Sequence, residues 1–294
     1  MTERLVAAVA GVVVLLAVVG LLVGTAAFLG TFAGAEEPTD TTDQPRYDVD
    51  HIFVEPIPAE GQVEVPPMDS GVVAIDMAHM NDADGDDIQE LTNALVAANQ
   101  EVRTIRSSDE FGSVLADADA LVVIEPERAY DNQTGAIVEE FVEDGGQLLL
   151  MGGPTTGEID AFAVIERSNA IDSIANRFGI AFGEDYLYDH EANDGNHRNI
   201  LAAGTDHELL TDVSVAALYT ATHVSAADGD PLLVTNETAQ RAESGDTGTY
   251  PVAIVRGNVM AVGDASFMTG ETYNVADNEH FIAAIVTFLA DDEE

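Results

Sequence analysis

The chain has 294 residues, of which 54 are Asp or Glu and only 10 are basic, all arginine, for a formal net charge of -44 at pH 7. Lysine, cysteine and tryptophan are absent, which excludes disulfides, thiolate nucleophiles, cysteine zinc sites, Walker A phosphate loops and Schiff-base lysines. Nucleic acid is not an expected partner, because phosphate neutralisation needs clustered cations, and the spread of carboxylate along the chain points to adaptation to molar salt, where the Debye length falls to ~3 Å and self-repulsion is screened.

Residues 1–34 read as a membrane anchor. Leu5 to Phe32 is free of charge, and as a helix it spans roughly 42 Å, enough to cross a hydrocarbon core of about 30 Å. Arg4 precedes this run and Glu36, Glu37 and Asp40 follow it, so the positive-inside rule leaves the amino terminus in the cytoplasm and the rest of the chain extracytoplasmic. The competing reading is a cleaved signal peptide, since Ala33-Gly34-Ala35 has the small-x-small form that signal peptidases accept. Residues 35–70 form a Pro-rich acidic linker with Pro38, Pro45, Pro56, Pro58, Pro66 and Pro67, too poor in apolar residues to pack by itself.

From residue 71 to 294 strand-like and helix-like periods alternate. Val72–Met77 is an apolar run of strand length, and Ile88, Leu91, Leu95 and Ala98 recur at helical spacing behind Asp86 and Asp87. Val102–Ile105 is the next strand, Ser107 and Glu110 suggest a capping box, and Ala120–Ile124 is a third strand. Ile137, Val138, Phe141 and Val142 mark a helix stopped by Gly145-Gly146, followed by a strand at Gln147–Met151. The second half is less regular, with a helix near Ile171–Phe178, a polar stretch at Tyr186–Asn199 and β-like runs at Val215–Val224, Leu232–Thr235 and Tyr250–Val255. Gly257-Asn258 suggests a hairpin into Val259–Val262, and Phe281, Ile282, Ile285, Val286 and Leu289 give a last helix. The expected fold is α/β: a doubly wound, flavodoxin-like, mainly parallel sheet with an antiparallel C-terminal hairpin, preceded by one transmembrane helix.

Three passages, Val73–His79, Asp189–Ile200 and Gly263-Asp-Ala-Ser-Phe leading to Asp277-Asn278, give the chain a resemblance to the family called domain of unknown function 4350. That family belongs with class I glutamine-amidotransferase-like folds, and its members are typically membrane-tethered. The resemblance covers about Gly71 to Leu289 and implies a nucleophile turn around Met151-Gly152-Gly153 and a His and Glu near Gly263–Ser266. Neither place holds those residues, so the resemblance implies the fold with its nucleophile absent.

In open α/β sheets ligands sit beyond the carboxyl ends of the strands. The candidate ligand-binding residues there are Asp76, His79, Asn81, Glu125, Arg128, Gly152, Gly153, Asp264 and Ser266. Ser266 with His79 as base is a conceivable nucleophile, but Gly-Asp-Ala-Ser-Phe does not match the Gly-x-Ser-x-Gly elbow, so no catalytic residue is expected. Asn81–Asp87 fails as an EF-hand, because placing Gly85 sixth puts Met80 first and Leu91 twelfth. Asp189, His190, Glu191, Asp194 and His197 lack a His-Glu-x-x-His pattern, and neither a metal nor any other cofactor is expected. Gly152-Gly153 lacks a dinucleotide fingerprint and reads as a tight turn. Asn132 and Asn236 open glycosylation sequons. The expected function is a membrane-anchored, non-catalytic binding or assembly module for an unknown protein or small polar ligand. The alternative is an extracytoplasmic hydrolase acting on envelope glycans or peptides.

Overall fold

The computed structural model describes residues 57–81, 85, 87–155, 159–160, 163–164 and 170–291. The expected anchor at 1–34 and the linker as far as residue 56 lie outside the described residues, and no described helix is long and apolar enough to cross a membrane.

Nine strands form one sheet. In chain order they are β1 (Val72–Asp76), β2 (Glu101–Ile105), β3 (Ala120–Ile124), β4 (Gln147–Met151), β5 (Asn199–Gly204), β6 (Val215–Tyr219), β7 (Asp230–Thr235), β8 (Pro251–Arg256) and β9 (Val259–Val262). Across the sheet the order is β6-β5-β7-β8-β9-β4-β3-β1-β2. The ladders from β9 through β4, β3 and β1 to β2 are parallel, as expected for strands joined by single helices. The hairpin expected at Gly257-Asn258 joins β8 to β9 with Gly257 at φ 55. Antiparallel pairing does not end there, for it continues through β7 and β5 to β6. The antiparallel part is therefore larger than one hairpin. Strand β5 escapes the periodicity because its Ala202, Ala203 and Gly204 carry too little apolar bulk to stand out from the polar loop before it.

Strands of this sheet alternate their side chains between two cores. Val73, Ile75, Val122 and Ile124 pack with Leu91 and Leu95 of α1 (Gln89–Ala97) and with Phe281, Ile282 and Ile285 of the last helix. Ala74, Leu121, Val123, Leu148 and Leu150 face the opposite side. They meet Phe111 and Leu115 of α2 (Phe111–Leu115), Val138 of α3 (Asn132–Glu143) and Ile174 of α4 (Asp172–Ala175). The last helix is α5 (Asn278–Leu289). Burial on both faces explains why β3 and β4 read as continuous apolar runs.

Helix ends follow local chemistry. Asp131 caps α3 by accepting from Gln133 N and Thr134 N at 2.9 and 2.8 Å, and Gly145, at φ 106, turns the chain out of it. The capping box expected from Ser107 and Glu110 is displaced by one residue on both sides. Ser107 Oγ accepts from Asp109 N at 3.4 Å, and the Glu110 carboxylate reaches back to Arg106 N at 2.9 Å. For α1 the capping residue is Ile88, which makes no side-chain cap, and not the expected Asp87; Asp86 lies outside the described residues.

The described part of the expected linker lies along this body as a strap. Ala59 bridges Val275, Glu60 N donates to Asn274 O at 2.9 Å, and Met68 N donates to Ala98 O at 3.1 Å. Val63 and Val65 alternate with Gln62 and Glu64 and pack on the core with Met68, so even a polar segment finds apolar surface to cover.

Candidate functional site at the strand carboxyl ends

Two polar clusters occupy the carboxyl ends of the parallel strands. The first closes β1. Asp76 and His79 are 1% and 2% exposed. Asp76 Oδ1 accepts from Ala78 N at 2.8 Å, while Oδ2 meets both His79 Nδ1 at 2.8 Å and the Tyr130 hydroxyl at 2.5 Å. Tyr130 stacks on His79 with centroids 3.7 Å apart, and Phe111 meets both rings edge-on. Burial, with the Asp76 carboxylate next, pushes the Tyr130 phenol well above its ordinary range, so it acts as a hydrogen-bond donor and not as a proton source. Tyr130 is absent from the sequence reading. Its only signal there is an isolated aromatic just ahead of the Asp131 cap.

Beside this cluster the loops after β1 and β3 converge. Asn81 Nδ2 donates to Ile124 O at 2.7 Å, and Asn81 Oδ1 is enclosed without a hydrogen-bond partner among the described residues. Glu125 turns out of β3 at φ 39, and its carboxylate lies over Gly153, where an added Cβ would sit 2.9 Å from Glu125 Oε1. Arg128 is exposed. Its Nη2 lies 3.0 Å from the Met80 sulfur, a weak acceptor, and its backbone N is tied to His79 O at 3.0 Å.

Gly152 has no amide free to cradle a phosphate. Gly152 N donates to Val262 O at 3.0 Å, continuing the ladder, and the residue is closed in by Ile171 and Phe182. Neither glycine has positive φ, so the turn after β4 lacks the strained geometry that exposes a nucleophile.

The second cluster closes β9. Asp264 is 1% exposed and its Oδ2 accepts from Tyr219 N at 2.7 Å. Its Oδ1 accepts from Ser266 N at 2.9 Å and from Ser266 Oγ at 2.8 Å. Burial raises the Asp264 carboxyl to about 6, against the pull of these donors. Gly263 is needed just before it, because an added Cβ would collide with the Thr222 carbonyl oxygen. The network continues through Tyr219, whose hydroxyl donates to Asp194 Oδ2 at 3.1 Å, to Ile57 of the strap, whose N donates to Asp194 Oδ1 at 2.7 Å. Burial raises the Tyr219 phenol too, with Asp194 the next cause.

The strands therefore bring Asp76 and His79 together, and Asn81, Glu125 and Gly153 beside them, with Arg128 at the rim. Asp264 and Ser266 stand apart, because β9 is three strand spacings from β1, about 14 Å. His79 spends Nδ1 on Asp76, and Ser266 spends its hydroxyl on Asp264. The imagined Ser266–His79 pair is not assembled.

Outside the strand ends, Asp189 turns inward to Glu191 N, Ala192 N and Thr238 Oγ1, while His190 and His197 stack 5.4 Å apart. Among the described residues no three metal-ligating side chains converge. Of the sequons, Asn132 opens α3 with Thr134 buried, and Asn236 is exposed while Thr238 is bonded to Asp189.

Comparison with solved structures places this architecture among known folds. The mmIFT52 N-terminal domain superposes with a TM-score of 0.59 at 9% identity, covering 76% of this chain and 99% of that one. A ThuA-like protein of Bacteroides uniformis gives a TM-score of 0.46 at 9% identity over 80% of this chain and 96% of that one. The glutaminase domain of a Trypanosoma brucei CTPS with bound acivicin gives 0.41 at 8% identity over 76% and 96%. No curated protein matches the chain. Residues 81–286 match the family described as Domain of unknown function (DUF4350), and the chain belongs to it.

Proposed function

We propose that this protein is a non-catalytic binding or assembly module, held to a membrane by residues 5–32, with its domain on the extracytoplasmic side and adapted to concentrated salt. The observation that supports this reading most is the inward commitment of the strand-end chemistry. Asp76, His79, Asp264 and Ser266 all bond one another, a neighbouring side chain or the backbone, and a bound carboxylate or hydroxyl of this kind orders a loop more readily than it attacks a substrate. Arg128 remains exposed at the rim with a thioether as its hydrogen-bond partner. A guanidinium so placed suits an anionic group on a partner or a small polar ligand.

The absence of cysteine gives a direct test. A cysteine at exposed Glu127, labelled on intact cells with a membrane-impermeant maleimide carrying a photoactivatable group, is expected to react and, on illumination, to give a discrete adduct. Arg128→Glu in the same background is expected to cut that adduct about tenfold, equivalent to ~1.4 kcal/mol of binding, and Ser266→Ala to leave it unchanged. Labelling only after lysis would put the domain on the cytoplasmic side. An adduct indifferent to Arg128→Glu would end the rim-binding reading, and a hydrolytic activity lost in Ser266→Ala would favour the enzyme.

Salt adaptation is tested separately. With a net charge of -44, the purified chain is expected to lose its cooperative thermal transition when dialysed from molar to millimolar salt. A transition unchanged across that range would refute the adaptation.

A further inference from the structure

The sheet ends in two edge strands, β6 and β2, and an edge strand turns every second residue's backbone N–H and C=O away from its neighbour. At β6 the outward residues are Val215, Ala217 and Tyr219, and each of their groups has a partner within hydrogen-bond reach. Asp277 Oδ2 accepts from Val215 N at 3.0 Å and Asp277 N donates to Val215 O at 3.0 Å. Asn278 accepts from Ala217 N and donates to Ala217 O, both at 2.9 Å. Asp264 accepts from Tyr219 N at 2.7 Å, and Ser266 Oγ lies 3.2 Å from Tyr219 O. This edge is closed to any further strand.

The β2 edge is open. Glu101 N donates to Gly71 O and Met77 N donates to Ile105 O, so Glu101, Arg103 and Ile105 turn their backbone groups to β1 while Val102 and Thr104 turn theirs outward. Among the described residues nothing bonds those outward groups. The open stretch is bounded, since Gln100 N donates to Leu95 O and Arg106 N to Glu110 Oε2, each at 2.9 Å. A row of unpaired backbone groups is a template for another strand.

The charge pattern selects the occupant. In a chain with 54 acidic and 10 basic residues, an edge lined by carboxylate alone would repel a second copy. Here Arg103 follows Glu101 on one face of β2, their side chains 36% and 61% exposed and bonded to each other at 2.8 Å. Glu-x-Arg is complementary to itself when run antiparallel. Pairing two copies about Val102 lets them exchange both Val102 hydrogen bonds and sets Glu101 of each opposite Arg103 of the other. Pairing them about Arg103 would oppose two guanidiniums, a destabilising contact. Val96, near the end of the helix that leads into β2, is 62% exposed and adds apolar surface at the turn into this edge.

We propose that β2 is a self-association edge, to which a second copy of this chain adds its own β2 antiparallel about a two-fold axis through Val102, carrying one sheet through both molecules. The pairing is of the weak, transient class, because one short strand buries little surface. It depends neither on the strand-end rim nor on what binds there.

The test again uses the absence of cysteine. Full-length Glu101→Cys and Arg103→Cys chains are purified in detergent with molar sodium chloride, where a Debye length of ~3 Å screens the repulsion between acidic bodies, then mixed and mildly oxidised. In the proposed register facing positions have Cα atoms about 4.5 Å apart, within disulfide reach, while a position and its own copy stand about 7–8 Å apart, beyond it. The mixture is expected to give about tenfold more linked dimer than either variant alone. For the parent protein, sedimentation velocity is expected to show a concentration-dependent dimer, weakened about tenfold by Arg103→Glu or by Glu101→Arg and restored when those two variants are mixed. Association through the apolar residues 5–32 would be indifferent to these charges. Equal linking by either cysteine variant alone, no linking in the mixture, or a dimer unmoved by the charge reversals would each overturn the proposal.

Discussion

Asp264→Ala is expected to destabilise the domain by on the order of 4 kcal/mol, measured by urea denaturation in molar salt. The carboxylate receives Tyr219 N, Ser266 N and Ser266 Oγ. The serine hydroxyl can turn toward Tyr219 O, 3.2 Å away, but the two backbone donors have no substitute acceptor, and each buried orphan costs about 1–3 kcal/mol. Asp264→Asn keeps an acceptor and is expected to cost less, with a difference from the parent protein that depends on pH. The folded carboxyl is raised to about 6, against ~3.9 unfolded, so the folded state holds this proton more tightly. The associated stability is full below the unfolded value and is lost as pH rises through 6. Between about pH 4 and 7 the parent should lose on the order of 2 kcal/mol relative to Asp264→Asn. Contributions of the other carboxylates largely cancel in that comparison, and a flat difference would show that Asp264 is not held as described.

The second large effect is expected at Asp76→Ala, again on the order of 4 kcal/mol. It strands Ala78 N, His79 Nδ1 and the Tyr130 hydroxyl at once, in a place where little water can replace the lost acceptor. Tyr130→Phe removes one donor, leaves Asp76 two others and preserves the ring on His79, so it should cost about 1–2 kcal/mol. In the double variant the two effects should fall short of additivity by at least ~1 kcal/mol, because both act on one bond. Strict additivity in the double variant would mean that the Asp76 cluster does not act as a unit. Loss of function in Asp76→Ala therefore reports on folding first.

How far the sequence foretold the site depended on whether a residue acts through chain neighbours or through distant ones. The parallel half was legible because each strand and helix there carries its own period, as in Ala120–Ile124 and Ile137–Val142. The Asp264–Ser266 bonds are just as local, since they join residues two positions apart. Tyr130 lies 54 positions from the carboxylate it bonds, and no spacing rule links them. Asp194, expected in an acidic loop, joins Tyr219 to the strap through contacts made only when the sheet closes. The small side chains of β5 hid a strand whose existence depends on β6 and β7 on either side.

The strap has a mechanical consequence. Its bonds to the body come one after another along the chain, Ile57 to Asp194, then Ala59 and Glu60 to the Val275 and Asn274 segment, then Met68 to Ala98. Tension applied from the amino-terminal side would reach them in that order. It would peel the strap a bond at a time, with β1, paired on both edges by β2 and β3, loaded last. A stretch of chain with this sequence of attachments behaves as a graded spring in series with a stiff sheet. Moderate pulling would be absorbed in residues 57–70 while both clusters at the strand ends keep most of their bonds, with the Ile57–Asp194 contact the first to yield.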